Sequence, residues 1–359
     1  MIIFGKYAAI LILVLPSIFC HACFAQNIEL VNLEKNQKYS ASGAFAFSKD
    51  DISVFALGAA VPGAVIFTFR SIGPPLRKEF ETPDGVAYLG STSVQGKELS
   101  ILHGINTNGD NIIFSINRNS GKMVRNNKIS ASNIQLSSAG NEILVFGKNK
   151  GKPWISLLDK DLKITRTFFY TNKFENANYV SAVAAIEGYY YAAIESSDKT
   201  KNINLVKING AMSKKILEKN FQGQGATLSK FGELLVLSLN TLDGPYIIAL
   251  NNNLEQVWSR KLYEPVGGGT RRRVAVHQEK LFSVGGNDDR LLVQEFSKTG
   301  NLMFAASDVL RLPPSNSPYA YALIGNTMHI VGSFTQPFSE QKNNGIESIA
   351  HFTVGIEKN

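Results

Sequence analysis

The stretch RVAVHQEKLFSVGGNDDRLLVQEFSKTGNLMFAASDVL, residues 273–310, contains four short segments rich in Val, Leu and Phe. These segments are Arg273–His277, Lys280–Gly285, Leu291–Phe296 and Leu302–Ala306. The residues between them are Gln278-Glu279, Asn287-Asp288-Asp289 and Lys298-Thr299-Gly300, which are residue types typical of turns. The stretch therefore predicts four antiparallel strands joined by short turns.

The same arrangement recurs seven times along the chain, at a spacing of about 40–50 residues that is typical of repeat architectures. The predicted second strands of the units are Ile52–Gly58, Leu99–Gly104, Ile143–Gly147, Tyr189–Ile194, Leu234–Leu239, Leu281–Gly285 and Met328–Gly332. Glycine closes five of these seven segments, where we expect the strand to stop and turn. The repeat predicts an all-β fold, a seven-bladed β-propeller of four-stranded antiparallel blades.

The two ends of the chain fit a closed ring. The last unit begins near Tyr319 and ends after its third strand, Ile349–Ile356, so its fourth strand is missing. At the other end, Ile28–Leu33 precedes the first complete unit and has no blade of its own. We expect this N-terminal strand to complete the last blade, which would leave only short, protected sheet edges.

The first 25 residues have the character of a signal peptide. Lys6 precedes an apolar run from Ala8 to Phe19, and Cys23-Phe24-Ala25 offers small residues at the cleavage positions. We expect cleavage after Ala25 and a single propeller domain over residues 26–359, in the periplasm or outside the cell. The alternatives are a lipoprotein and an uncleaved anchor, and no transmembrane segment is expected after cleavage.

Composition limits the chemistry of the mature chain. Both cysteines, Cys20 and Cys23, lie in the predicted signal peptide, so disulfides, thiolate metal sites and cysteine nucleophiles are excluded. The net charge of +8 is spread over several loops and favours anionic surfaces. Export argues against nucleic acid as a partner. The four remaining histidines, His103, His277, His329 and His351, have no metal-ligand spacing, and we interpret them as structural.

The repeat resembles the WD40-like and quinoprotein-like propellers of exported bacterial proteins. The sequence from Ala249 to Trp258 is similar to the tryptophan-docking pattern of the quinoprotein type, and Asn117–Gly121 is a weaker match. The resemblance is architectural and implies the fold. We expect no cofactor, because the tryptophan-docking pattern is approached in only one blade of seven and no phosphate loop is present, and no metal, because no calcium-loop pattern is present.

Function is predicted at the top face of the propeller, defined as the side where the chain enters each first strand and passes from second to third strands. The segments there are dominated by amide, hydroxyl and phenol groups, which suit sugars or a peptide backbone. A Gly267–Gly269 run leads into three consecutive arginines, whose guanidinium groups pair with carboxylate or phosphate. The candidate ligand-binding residues are Arg271, Arg272, Arg273, Tyr39, Asn178, Tyr179, Gln224, Asn316 and Tyr319.

We therefore expect a recognition or scaffold module for a carbohydrate, an anionic ligand or a protein partner. One alternative is a polysaccharide lyase or glycoside hydrolase, with acid–base chemistry from loop carboxylates. The carboxylates in question are Asp110, Asp198, Asp243, Asp288 and Asp289. The other alternative is a periplasmic assembly factor that docks a protein partner.

Overall fold

A computed structural model of the 359-residue chain provides the structure. It describes residues 29–34, 39–46, 51–58, 64–70, 76–95, 98–139, 142–169, 177–196, 201–211, 214–262, 271–277, 279–287, 290–309, 317–335 and 347–356. Every regular element in these ranges is a β-strand. The predicted signal peptide lies outside them. None of the described residues forms a helix with the length and hydropathy that a membrane span needs.

The strands form seven four-stranded antiparallel sheets, numbered here as blades in chain order. Blade 1 consists of β2 (Tyr39–Ala46), β3 (Asp51–Gly58), β4 (Ala64–Arg70) and β5 (Leu76–Phe80). Blade 2 consists of β6 (Val86–Gln95), β7 (Leu99–Asn106), β8 (Asn111–Asn117) and β9 (Met123–Ile129). Blade 3 consists of β10 (Ser132–Ala139), β11 (Glu142–Asn149), β12 (Lys152–Leu158) and β13 (Ile164–Phe169). Blade 4 consists of β14 (Ala177–Ile186), β15 (Tyr189–Ser196), β16 (Asn202–Asn209) and β17 (Lys214–Gln222).

The remaining three sheets follow the same order, except at the end of the chain. Blade 5 consists of β18 (Gln224–Phe231), β19 (Leu234–Thr241), β20 (Gly244–Leu250) and β21 (Gln256–Lys261). Blade 6 consists of β22 (Arg271–His277), β23 (Lys280–Asn287), β24 (Arg290–Phe296) and β25 (Leu302–Val309). Blade 7 consists of β26 (Ser317–Ile324), β27 (Thr327–Thr335), β28 (Glu347–Gly355) and β1 (Glu29–Glu34).

The ring closes as the strand count predicts. Strand β1 pairs antiparallel with β28, from Glu29 opposite Thr353 to Glu34 opposite Ile349, with one irregularity between Leu30 and Asn32. Each first strand contacts the first strand of the next blade, and β26 of blade 7 contacts β2 of blade 1. The fold is a seven-bladed β-propeller, and the predicted N-terminal closure is confirmed.

Burial along the strands follows from stacking the blades. In β16 the six residues Ile203–Ile208 are all buried, whereas most residues of the outer strand β17 are not. Second and third strands are covered on both sides by neighbouring blades, so they read as continuous apolar runs. One core cluster joins Leu144 and Ile155 of blade 3 to Ala192 and Val206 of blade 4. The hydrophobic cores therefore lie between blades.

Gly58 ends its second strand as the sequence predicts, but the other four second strands continue past their glycines, which corrects the expectation for them. Strand β11 runs two residues past Gly147, which has a φ of +155°. A Cβ on Gly147 would lie 2.6 Å from the carbonyl oxygens of both Ser132 and Asn133, the first two residues of β10 in the same blade. Glycine is needed at this position because the neighbouring backbone passes too close for any side chain.

The turns between third and fourth strands repeat one local structure. The Oδ1 atoms of Asn117, Asp159 and Asn251 each accept hydrogen bonds from two backbone N–H groups two to four residues further along. In blade 6, Ser297 Oγ accepts the N–H of Asn301 in the same way. These side chains start the turn because a short oxygen acceptor can replace a backbone carbonyl.

In blades 1 to 5, a side chain of the outer strand donates a hydrogen bond to the turn between the third and fourth strands of the next blade. The acceptors are carbonyl oxygens of the turn. The bonds are Lys78 Nζ to Asn119 O, Asn127 Nδ2 to Leu162 O, Arg166 Nη1 to Gly210 O, Lys219 Nζ to Leu254 O and Arg260 Nε to Gly300 O. We call these contacts the inter-blade clasp.

The clasp uses part of the positive charge of the outer strands, since four of its five donors are Lys or Arg. The outer strands β5, β9, β13, β17, β21 and β25 contain ten Lys or Arg residues and three Asp or Glu residues. The outer strand of blade 7, β1, adds two glutamates, so the seven outer strands carry an excess of five positive charges, against a net charge of +8 for the whole chain. Several of these cations bind turn carbonyls, so part of the charge that suggested an anionic partner has a structural use.

Blades 5 and 6 add a tryptophan to the clasp. The indole Nε1 of Trp258 donates to Lys298 O over 2.8 Å, and a Cβ on Gly300 would lie 2.6 Å from the indole ring. The sequence similarity around Trp258 therefore corresponds to a docked tryptophan at this junction.

Candidate functional site

A polar cleft opens on the top face between blades 2 and 3, with a volume of about 340 Å³. Its wall on blade 2 comes from the β7–β8 loop and the end of β9, and its wall on blade 3 comes from the β11–β12 turn. The segment that links the two blades forms the rest. The lining residues are Gly109, Asp110, Asn111, Lys128, Ile129, Ser130, Ala131, Ser132, Lys148 and Lys150.

Three lysines and one carboxylate set the charge of this lining. Lys128 Nζ lies 2.6 Å from Asp110 Oδ2, and Asn106 Nδ2 donates to the same oxygen over 3.2 Å. The hydrogen bond from Lys128, followed by that from Asn106, lowers the pKa of Asp110 below its ordinary value. Asp110 is therefore ionised at neutral pH, and the four charged side chains of the lining sum to a positive charge.

A buried hydrogen-bond chain holds the blade 2 wall. Asn111 Nδ2 donates to Ala131 O over 2.8 Å, so the amide oxygen of Asn111 faces His103 Nε2, also at 2.8 Å. His103 must then carry its proton on Nε2, because Asn111 Oδ1 can only accept. Burial lowers the pKa of His103, although the hydrogen bond to Asn111 opposes this effect. A neutral, buried histidine thus fixes the orientation of a cleft amide.

Tyr88 adds an exposed aromatic ring near this site. It lies in β6, the first strand of blade 2, opposite Ile105 at the base of the loop that carries Asp110. Its side chain is 49% exposed. An exposed phenol ring offers the flat apolar surface and the hydrogen-bonding group that sugar rings use.

Two of the predicted ligand residues, Tyr179 and Gln224, lie in the strands that join blades 4 and 5. Tyr179 OH donates to Glu195 Oε2 over 3.0 Å, and Glu195 Oε1 accepts the backbone N–H of Ala226 over 2.8 Å. Gln224, two residues before Ala226, is exposed at the start of β18. Burial, with Glu195 nearby, raises the pKa of Tyr179 to about 12. The hydroxyl of Tyr179 is thus engaged within the protein.

For most of the other predicted residues the structure describes the backbone alone. Arg271–Arg273 form the start of β22, Tyr39 begins β2, and Asn178 and Tyr319 lie in β14 and β26. The sequence predicts these residues in the segments that enter the first strands, and the structure places them within those strands. Asn316 lies outside the described residues. A ligand contact at any of these residues stays a prediction.

The cleft residues were largely missed from the sequence. Lys148 and Lys150 stood out only as part of a diffuse charge, and Asp110 only as one of several loop carboxylates. Lys128 and Asp110 are 18 positions apart, and they meet because β8 pairs with β9, with Ile112 opposite Lys128. The sequence could have indicated this contact, because both residues lie at the ends of neighbouring strands that point to the top face.

The described histidines and carboxylates do not assemble a metal site. Within the described ranges, no group of three or more His, Cys, Asp or Glu side chains stands close enough to hold a metal ion. Asp110 is the one carboxylate among the lining residues of the cleft. Its lowered pKa suits an ion-pair partner better than a general acid, whose pKa must be raised towards neutrality.

Comparisons with known proteins identify the fold. No protein-family model matches the sequence, and no curated protein matches it significantly. Among solved structures, the chain is similar to the Dos1 propeller, with a TM-score of 0.53, 11% identity, and coverage of 89% of this chain and 80% of that chain.

Two further structures are similar over most of their length. The WD40 domain of coronin from Toxoplasma gondii gives a TM-score of 0.54 at 9% identity, covering 92% of this chain and 87% of that one. Hydrazine synthase from Kuenenia stuttgartiensis gives 0.54 at 10% identity, covering 79% and 90%. At such low identity the likeness concerns the fold alone: this chain is a β-propeller without a specific family signature.

Proposed function

We propose that this protein is an exported recognition module that binds an anionic carbohydrate on the top face of its propeller. The observation that carries the proposal is the cleft between blades 2 and 3, whose lining contains three lysines and a single carboxylate. Sites of this kind, placed in loops on a rigid scaffold, determine the function of a propeller, since the fold itself hosts many functions.

The surroundings of the cleft favour a sugar over a bare anion. Ser130 and Ser132 supply hydroxyl groups, Asn111 supplies an amide, and Tyr88 supplies an exposed ring on the same blade. Lysine ammonium groups then select ligands with carboxylate or other anionic substituents. The predicted arginine run at Arg271–Arg273 would extend the same preference around the top face.

Isothermal titration with oligogalacturonate, a carboxylated oligosaccharide, tests the proposal. Its methyl-esterified form is the neutral comparison ligand. We expect the acidic form to bind, the esterified form to bind more weakly, and the affinity to fall between 50 and 500 mM NaCl because salt screens exposed charges.

Paired lysine variants locate the site. Replacing both Lys148 and Lys150 with Ala is expected to weaken binding about tenfold, the sum of two exposed ion pairs. The matched control is Lys160→Ala with Lys163→Ala, which removes the same charge from an exposed turn on the bottom face of the same blade. The absence of binding to the acidic oligosaccharide, or equal losses in both double variants, would overturn the proposal.

A further inference from the structure

We infer that Asp110 is an internal competitor for the ligand: its carboxylate occupies Lys128, and a carboxylate of the incoming sugar takes its place. This inference rests on the proposed function and specifies how the cleft is occupied when no ligand is bound. It also specifies the ligand group, because the site already holds a carboxylate in the position that a sugar acid would take.

The contacts of Asp110 support this exchange. Its carboxylate contacts two side chains: Lys128 Nζ of strand β9 at 2.6 Å, and Asn106 Nδ2, at the start of the same loop, at 3.2 Å. The loop itself does not depend on the bond to Lys128, since Asn106 Oδ1 accepts the backbone N–H groups of both Asn108 and Asp110. Releasing Lys128 would therefore leave the local turn hydrogen-bonded.

The loop next to Asp110 is open, and the ion pair is accessible to water. Gly109, beside Asp110, has a φ of +80°, and a Cβ placed on it would meet no atom within 4 Å. The side chains of Lys128 and Asp110 are 64% and 31% exposed, so their ion pair is screened by water and is easily exchanged. A buried pair would resist such an exchange because separating it would leave an uncompensated charge.

The lysines on the blade 3 wall favour the exchange of Asp110 for a ligand carboxylate. Lys148 and Lys150 have no carboxylate facing them among the described residues that line the cleft. A ligand with several carboxylates can pair with these lysines and with Lys128 together, whereas Asp110 satisfies Lys128 alone. The exchange therefore gains ion pairs for a polyvalent sugar acid.

The variant Asp110→Asn tests the inference, since the amide oxygen can still accept from Asn106 while the charge is removed. We expect it to bind oligogalacturonate about twofold to fivefold more tightly than the wild type, which is the value of an exposed ion pair. In the absence of Lys128 the gain is expected to disappear, so the double variant Asp110→Asn with Lys128→Ala should bind no more tightly than Lys128→Ala alone. The matched control is Asp161→Asn, which breaks the exposed 2.8 Å pair with Arg125 elsewhere on the molecule.

The outcomes separate this inference from the proposed function. If the wild type binds and Asp110→Asn binds equally or more weakly, the internal competition is wrong and the binding function stands. If Asp161→Asn produces the same gain, net charge explains the effect and the inference is overturned. If neither the wild type nor Asp110→Asn binds the acidic sugar, both proposals fall together.

Discussion

His329 Nδ1 lies 2.9 Å from His351 Nε2, and the two buried rings stack with their centroids 5.1 Å apart. Both residues belong to blade 7, the sheet that closes the ring, and Asn32 of β1 lies opposite His351. Burial, with His329 close by, lowers the pKa of His351 to about 4, and burial also lowers the pKa of His329. The closing sheet thus contains two histidines that must stay neutral.

Acid is therefore expected to destabilise the fold. When the pKa of a histidine is lower in the folded than in the unfolded protein, the unfolded chain binds more protons below pH 6.5. The free energy of unfolding is therefore unaffected above pH 6.5 and falls as the pH drops towards the folded pKa. For His351 the window is pH 6.5 to about 4, and the loss is roughly 3 kcal/mol. Urea unfolding at a series of pH values measures this dependence.

The variant His351→Gln isolates the pair, since glutamine does not ionise. We expect a shallower fall of unfolding free energy with decreasing pH than in the wild type. His103→Gln is the comparator, because His103 is buried without a second histidine stacked on it and should change the slope less. Identical slopes for His351→Gln and the wild type would contradict the assignment.

The closure of the ring was predictable because it follows from counting. Turn residues at regular spacing separate the strands, the last unit lacks one strand, and the N-terminal segment has no sheet of its own. The predicted strands are confirmed because short apolar runs bounded by Gly, Asn and Asp are typical of β-strands. The role of Gly147 was not predictable, since it depends on where the backbone of Ser132 and Asn133 passes.

An engineered disulfide tests the closure. Glu29 and Thr353 are direct partners across β1 and β28, so cysteines at both positions should oxidise to an intrachain disulfide. The control is a cysteine pair at Glu34 and Thr353. The partner of Glu34 is Ile349, four residues from Thr353, which corresponds to about 13 Å along the strand. Equal cross-linking of both pairs, seen by non-reducing electrophoresis and peptide mapping, would refute the register.

Two glycines with the same backbone conformation test the tryptophan docking. Gly300 and Gly188 both have a φ of +79°, but a Cβ on Gly188 would meet nothing within 4 Å. Gly188→Ala should cost about 1 kcal/mol through backbone strain alone. Gly300→Ala should cost about 1–3 kcal/mol more, because the new methyl group collides with Trp258. Equal losses in denaturant unfolding would show that Trp258 does not pack on Gly300.

The link between blades 4 and 5 depends on Glu195. Replacing Glu195 with Ala leaves the N–H of Ala226 and the hydroxyl of Tyr179 without their acceptor, which should cost about 2–3 kcal/mol. Tyr179→Phe removes one of the two bonds and should cost about 1 kcal/mol. Thermal and urea unfolding measure both values. Losses below about 0.5 kcal/mol in both variants, the level of an ordinary surface substitution, would mean that this link contributes little.

The candidate site was less predictable than the fold for a physical reason. A run such as Arg271–Arg273 can be recognised in the sequence because its charges are consecutive. The cleft, in contrast, combines single lysines from two blades. Which loops face each other depends on the stacking of blades 2 and 3, and on the pairing that places Lys128 beside Asp110. The cleft lies on the face for which the sequence predicts a ligand, but its position between blades 2 and 3 depends on contacts that the sequence does not show.

Chemical labelling of lysines tests the ligand site most directly. Acetylation of the folded protein with and without oligogalacturonate, followed by mass spectrometry, reports which ammonium groups the ligand covers. We predict protection of Lys128, Lys148 and Lys150 and unchanged labelling of Lys160 and Lys163, which lie on the bottom face of blade 3. Protection that is equal at both sets of lysines, or confined to lysines outside the cleft, would contradict an anionic-sugar site between blades 2 and 3.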